Sequence, residues 1–141
     1  MLVNYNSKEL DLMARLMRAE ALGEGNLGML MVGNVIVNRA LANCHTFKNI
    51  RSISDVINQS PGGFSGAKSS LFYKSATEDE KKLAKQCLDG EYLYPATNAL
   101  WFYAPSGKNA CKETFYSQAL AGRYKSHCFY KPDAGVCPEL Y

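Results

Sequence analysis

Long hydrophobic runs are missing from this 141-residue chain. The longest apolar block, Leu27 to Leu41, is too short and too interrupted to span a bilayer. The opening nine residues, Met1 to Glu9, lack a basic n-region and an apolar h-region. That predicts a product made in the cytoplasm without a Sec leader. Cationic stripes are missing too. Only Lys81 and Lys82 are adjacent basic residues, and 16 Lys+Arg against 13 Asp+Glu leave a net charge of +3. A nucleic-acid partner is therefore not expected. Mild positive charge suits weak attraction to an anionic polymer and equally suits solubility. No Cys-x-x-Cys pair suggests a zinc ribbon, and no acidic loop suggests a calcium site. Repeats, low-complexity tracts and linkers are also lacking. With 47% hydrophobic and 21% charged residues, the chain reads as globular, and its length fits one domain over 1–141.

The five cysteines, Cys44, Cys87, Cys111, Cys128 and Cys137, are odd in number and cannot all pair within one chain. Three fall in the last 31 residues. One bridge there is the expectation in an oxidising compartment, and free thiols in the cytosol are the preferred reading.

The first half, about residues 6–90, reads as helical. Asn6 or Ser7 caps a first helix, with Glu9 in capping-box register to Asn6. Leu12, Met13, Leu16 and Met17 form its apolar face, and Gly23 and Gly25 stop it. A second helix, about Asn26 to Ala42, is apolar nearly all round and so belongs at the centre of the fold. Its polar exceptions are Asn34, Asn38 and Arg39, and the two asparagines, four apart, share a face. Ser52 and Asp55 frame a short third helix over Ile53–Asn58. A Gly/Pro-rich loop, Gln59 to Gly66, follows it. Thr77 and Glu80 open another helix with Leu83, Cys87 and Leu88 inward, closed by Gly90.

Composition then shifts, since seven of the nine tyrosines lie between Tyr92 and Tyr141. Ala99 to Ala104 is predicted as a strand, with Glu113–Ser117 and Ser126–Tyr130 as two shorter ones. The expected fold is α+β: a helical body followed by a small antiparallel β lobe.

One residue breaks the pattern of the first helix. The position following Met13 and Leu16 on its apolar face is Glu20. A carboxyl placed there is partly desolvated, so it holds its proton more tightly and can donate it to a leaving oxygen. The residue types leave open a second reading, a helix-end Glu paired with Arg15, Arg18 or Arg39. Glu24, four residues on, sits where the second helix begins, and a capping role is expected of it rather than catalysis.

Several motifs in order resemble one family. Glu20-Ala-Leu-Gly-Glu24, the apolar run ending in Asn38-Arg39, Phe64-Ser65 after a Gly-rich turn, Trp101-Phe-Tyr-Ala-Pro105 and His127-Cys-Phe129 are similar to elements of the SleB/CwlJ cell-wall hydrolases of spore-forming bacteria. The resemblance covers about Leu12 to Tyr130 and leans to the CwlJ type, a catalytic domain without the wall-binding repeat. It implies a fold related to lysozymes and lytic transglycosylases. It also implies action on spore-cortex peptidoglycan during germination, with Glu20 as the catalytic acid. Retention in the spore coat by a coat protein is a further implication. No organic cofactor or metal site is implied, although a divalent-cation dependence, with calcium as the candidate, is compatible with the family.

Most glycosidases use two carboxylates. Glu20 is the one well-placed acid here, so the expected chemistry is that of a lytic transglycosylase. In that reaction one Glu protonates the glycosidic oxygen and then removes the C6 hydroxyl proton. Glu24, Asn38, Arg39, Phe64, Ser65, Trp101, Tyr103 and His127 are the candidate cleft and supporting residues. Trp101 and Tyr103 share one strand face and Phe102 takes the other, so one set is expected in the core and the other in the cleft. Phe64, in a Gly-rich loop, is not expected to be buried. His127 and Cys128 point to opposite faces and cannot act as a pair. Two rival readings stay open: a Cys–His peptidase or amidase, and a wall-binding coat protein without activity.

Overall fold

A computed structural model describes residues 3–21, 23–59 and 63–141. Helix α1 spans Ser7–Glu20, and its first turn closes as a reciprocal capping box between Asn6 and Glu9. The other oxygen of Glu9 accepts from the backbone and hydroxyl of Ser54, at 3.0 and 2.9 Å. Ser54 belongs to α3, Ile53–Ile57, which carries its own capping box from Ser52 and Asp55. Glu9 thus joins two helix starts. Glu9→Ala is expected to cost about 1–3 kcal/mol, measurable by urea unfolding, because it removes a cap and leaves Ser54 unpaired.

Helix α2, Gly25–Ala42, runs through the middle, as its apolar circumference demands. The fully buried Met13, Leu16 and Met17 of α1 join Val32, Val35 and Ile36 of α2 in the main core, together with Ala84 and Cys87 of α4, Glu78–Leu88. The expected sharing of a face by Asn34 and Asn38 has a use. Asn34 donates to Glu91 O and accepts from Leu93 N–H, while Asn38 donates to the carbonyls of Ala96, Thr97 and Ala99. The two side chains satisfy an irregular segment that would otherwise bury unpaired backbone groups.

The predicted β lobe is a four-stranded antiparallel sheet in the order β1 (Trp101–Tyr103), β4 (His127–Lys131), β3 (Gln118–Tyr124), β2 (Thr114–Phe115). Strand β3 is absent from the sequence reading. Tyr116 and Ser117, both at positive φ, turn β2 back into it. Two 3-10 turns, Ser65–Lys68 and Ser70–Tyr73, lie between α3 and α4, the first overlapping the end of the expected Gln59–Gly66 loop.

Alternation along β4 splits the lobe. His127 and Phe129 face the helices with Phe102, whose neighbour across the ladder is Phe129. Cys128 and Tyr130 face a second core with Phe47, Leu100, Trp101 and Cys137. The preferred free-thiol reading fails here: Cys44 is bridged to Cys137, and Cys111 to Cys128. The first bridge fastens the C-terminal tail to the end of α2; the second ties the β1–β2 loop to β4. Cys87 is the free cysteine, buried with its thiol on Leu30 O, and burial pushes that thiol up to about 12. No helix among the described residues is long and apolar enough to cross a membrane.

Candidate active site

Glu20 is the last residue of α1 and half-buried. Two cavities meet at it. A groove of about 890 Å³ runs along Arg39, His45, Phe47, Phe64 and Trp101 to Phe115 and Tyr116. A smaller pocket of about 430 Å³ is lined by Ser69, Tyr103 and His127. Glu20, Ser65 and Phe102 belong to both.

The carboxyl is held from one side. Its Oε2 accepts from the backbone N–H of Gly66 and, at 3.4 Å, from the hydroxyl of Ser65. Its Oε1 makes no hydrogen bond among the described residues. Burial raises the Glu20 pKa, outweighing the Gly66 and Ser65 hydrogen bonds and the fields of His127 and Arg39, which all favour the charged form. The C-terminal end of a helix, where carbonyl oxygens gather, is also unfavourable for a carboxylate.

Residue 66 must be glycine for this contact, since a Cβ there would stand 3.0 Å from both Cδ and Cγ of Glu20. Gly66→Ala is therefore expected to displace the carboxyl and lower turnover about 10²-fold, with the fold retained by circular dichroism.

Arg39 lies over two rings, 4.9 Å from the centre of Phe47 and 4.3 Å from that of Phe64. Its Nε donates to Leu100 O at 2.8 Å, and Nη1 reaches Gln59 Oε1 at 3.5 Å. Burial lowers its pKa to about 10 while Glu20 opposes that shift. Phe64 itself is only 7% exposed, contrary to the expectation for a Gly-rich loop. The cationic face of Arg39 and the ring of Phe102, 5.7 Å away, give it a place to pack.

Glu24 departs from its expected role as a helix cap. It occupies the N-cap position of α2, yet its side chain makes no capping bond. Its backbone is already helical, at φ −92° and ψ −6°, whereas a capping side chain needs extended backbone at that position. The carboxylate turns to β4 instead. Glu24 Oε1 accepts from the backbone N–H of Ser126 at 2.9 Å and lies 3.0 Å from His127 Nδ1. Burial acts to raise the Glu24 pKa, but these Ser126 and His127 contacts together hold it below the ordinary range.

Asn38 does not reach either cavity; its amide is consumed by the 96–99 carbonyls. The expected division of the strand aromatics is only half met. Trp101 and Tyr103 do share a face opposite Phe102, but all three touch a cavity, because β1 is the sheet's edge strand. Phe102, the other face of that strand, lines both cavities, whereas His45, Gly66, Phe115 and Gln118 are not among the candidates. Gly66 closes the Gly/Pro-rich loop read above, and His45 and Gln118 carry no sequence signal.

A profile of the cell wall hydrolase family matches residues 23–130. The chain belongs to the cell wall hydrolase family. Among its relatives are the cell wall hydrolases CwlJ of Oceanobacillus iheyensis, 51% identical over 99% of this chain and 97% of that protein, and of Bacillus subtilis, 45% identical over 99% and 96%. The spore cortex-lytic enzyme of Bacillus cereus is 28% identical, and this family member spans 90% of itself but only 46% of that longer protein. The crystal structure of the catalytic domain of Bacillus cereus SleB superposes with a TM-score of 0.70 at 26% identity, covering 91% of this chain and 93% of that one. The α+β fold, a helical body with a small antiparallel sheet, is thus shared with these hydrolases. Membership in a hydrolase family also removes the reading as an inactive coat protein. The Cys–His reading loses its nucleophile, since four cysteines are bridged and the fifth is buried.

Proposed function

We propose that this chain degrades spore-cortex peptidoglycan during germination as a lytic transglycosylase, with Glu20 as its acid. The observation that carries the reading is a half-buried carboxyl, its pKa raised by burial, at the junction of two cavities. Among the described residues the other carboxyl lining the groove is Asp55, and its Oδ2 is occupied by the backbone N–H groups of Arg51 and Ser52. The names of the relatives supply the substrate class.

In the simplest cycle a glycan strand lies along the groove with its scissile bond over Glu20. Oε1 carries the proton to the glycosidic oxygen while Gly66 and Ser65 steady Oε2. The neighbouring N-acetyl group can assist bond breaking, and the C6 hydroxyl of the muramic ring closes on C1 to give a 1,6-anhydro end, its proton passing back to the Glu20 carboxylate. No water is consumed, so no second carboxylate is required to activate one. Rings such as Phe102 and Trp101 offer flat faces for sugar. This chemistry calls on no organic cofactor. Retention in the spore coat by a coat protein belongs to the same reading.

The test is mass analysis of fragments released from purified cortex peptidoglycan. Anhydro ends released by the wild type and none by Glu20→Gln support the proposal. Reducing ends from the wild type would overturn the transglycosylase assignment, and unchanged release by Glu20→Gln would overturn Glu20.

A further inference from the structure

The pairing of Glu24 with His127 has no part in that cycle, yet it is built beside it. Both residues are buried, at 6% and 8% exposure, and the imidazole lies edge-on to Phe102 with Phe129 behind it. Burying a carboxylate and an imidazole against aromatic rings is not a route to stability, since apolar side chains would fill the same space without the desolvation cost.

What the pair does provide is orientation. An ionised carboxylate only accepts, so Glu24 Oε1 fixes the proton of His127 on Nδ1. In the neutral ring Nε2 then carries the lone pair, and it has no hydrogen-bond partner among the described residues. The ring lines the smaller pocket, the one it shares with Glu20. A buried carboxylate holding an imidazole so that its far nitrogen meets the substrate is the general arrangement of an oriented base.

We propose that His127 Nε2, oriented by Glu24, is the base that receives the C6 hydroxyl proton, so that Glu20 acts as acid alone. This rests on the transglycosylase reading above. In a β-linked muramic residue the glycosidic oxygen and the C6 hydroxyl lie on the same face of the ring, so one pocket can serve both. The balance is complete. Glu20 gives its proton to the leaving oxygen as the C1–O bond breaks. The C6 oxygen bonds to C1, and its proton passes to Nε2. Transfer of that proton from His127 back to the Glu20 carboxylate restores the enzyme.

His127→Asn keeps a donor toward Glu24 and removes the Nε2 base; Glu24→Gln keeps the ring and removes the charge that sets its tautomer. Full-length variants are compared with the wild type on purified cortex peptidoglycan for rate, thermal midpoint and the ratio of anhydro to reducing ends. The expected result is a rate loss of about 10²-fold or more, with the ratio moving toward reducing ends as water captures C1 in place of the unactivated hydroxyl. A wild-type ratio in His127→Asn, whatever its rate, overturns the proposal and returns the base role to Glu20. If His127→Asn does not fold, the ratio in Glu24→Gln decides in the same way. Failure of the parent reading looks different, because activity would then survive Glu20→Gln or the wild type would give no anhydro ends.

Discussion

Glu20→Gln slows glycan cleavage by about 10²- to 10⁴-fold, the range carried by a positioned general acid. The substitution preserves the shape of the side chain and the hydrogen bonds to Gly66 and Ser65 but removes the transferable proton. Stability moves the opposite way. The folded protein binds this proton more tightly than the unfolded chain does, because the folded pKa lies above the ordinary 4.5. As pH rises past the unfolded value the buried carboxyl increasingly weakens the native state, and the penalty levels off above the folded pKa. At neutral pH, Glu20→Gln therefore unfolds at the same temperature as the wild type or higher. Wild-type activity needs the protonated form, so its rate falls as pH climbs through that raised pKa. A variant that is inactive yet no less stable separates a chemical role from a structural one.

Loss of the Cys44–Cys137 bridge has the largest expected effect on stability. The two residues are 93 apart in sequence, so the bridge removes much of the unfolded chain's freedom. The chain-entropy account gives about 4–5 kcal/mol for such a loop. At about 3 °C per kcal/mol, Cys44→Ala with Cys137→Ala lowers the thermal midpoint by roughly 10–15 °C. Alanine is chosen because both sites are buried and a hydroxyl there would lack a partner. His45 and Phe47, next to Cys44, line the groove, so glycan cleavage at moderate temperature should also weaken in the double variant. A thermal midpoint within about 2 °C of the wild type would contradict the entropic account of this bridge.

Much of the site was legible because helical spacing is strict. Glu20 stands out only where residues 13 and 16 define a face, and the structure places it at the end of that face. Asn34 and Asn38 were readable for the same reason. Their partners were not, since the 91–99 carbonyls have no pattern of their own. Strand β3 escaped because Ala119, Leu120, Ala121 and Gly122 have weak strand preference. It forms because β4 and β2 flank it, with a register shift between Leu120 and Gly122. The disulfides depend on which ends of distant elements meet, and sequence spacing says nothing of that. Glu24 misled for a local reason. Its position is that of a cap, but its backbone conformation turns the carboxylate toward His127.

The central claim is that the fold raises the pKa of the Glu20 carboxyl by withdrawing it from water. Carbon-13 NMR of Glu-labelled protein, with Glu20→Gln used to assign the resonance, measures this directly. The account expects Glu20 to titrate above 4.5, and a midpoint at or below that value would contradict it.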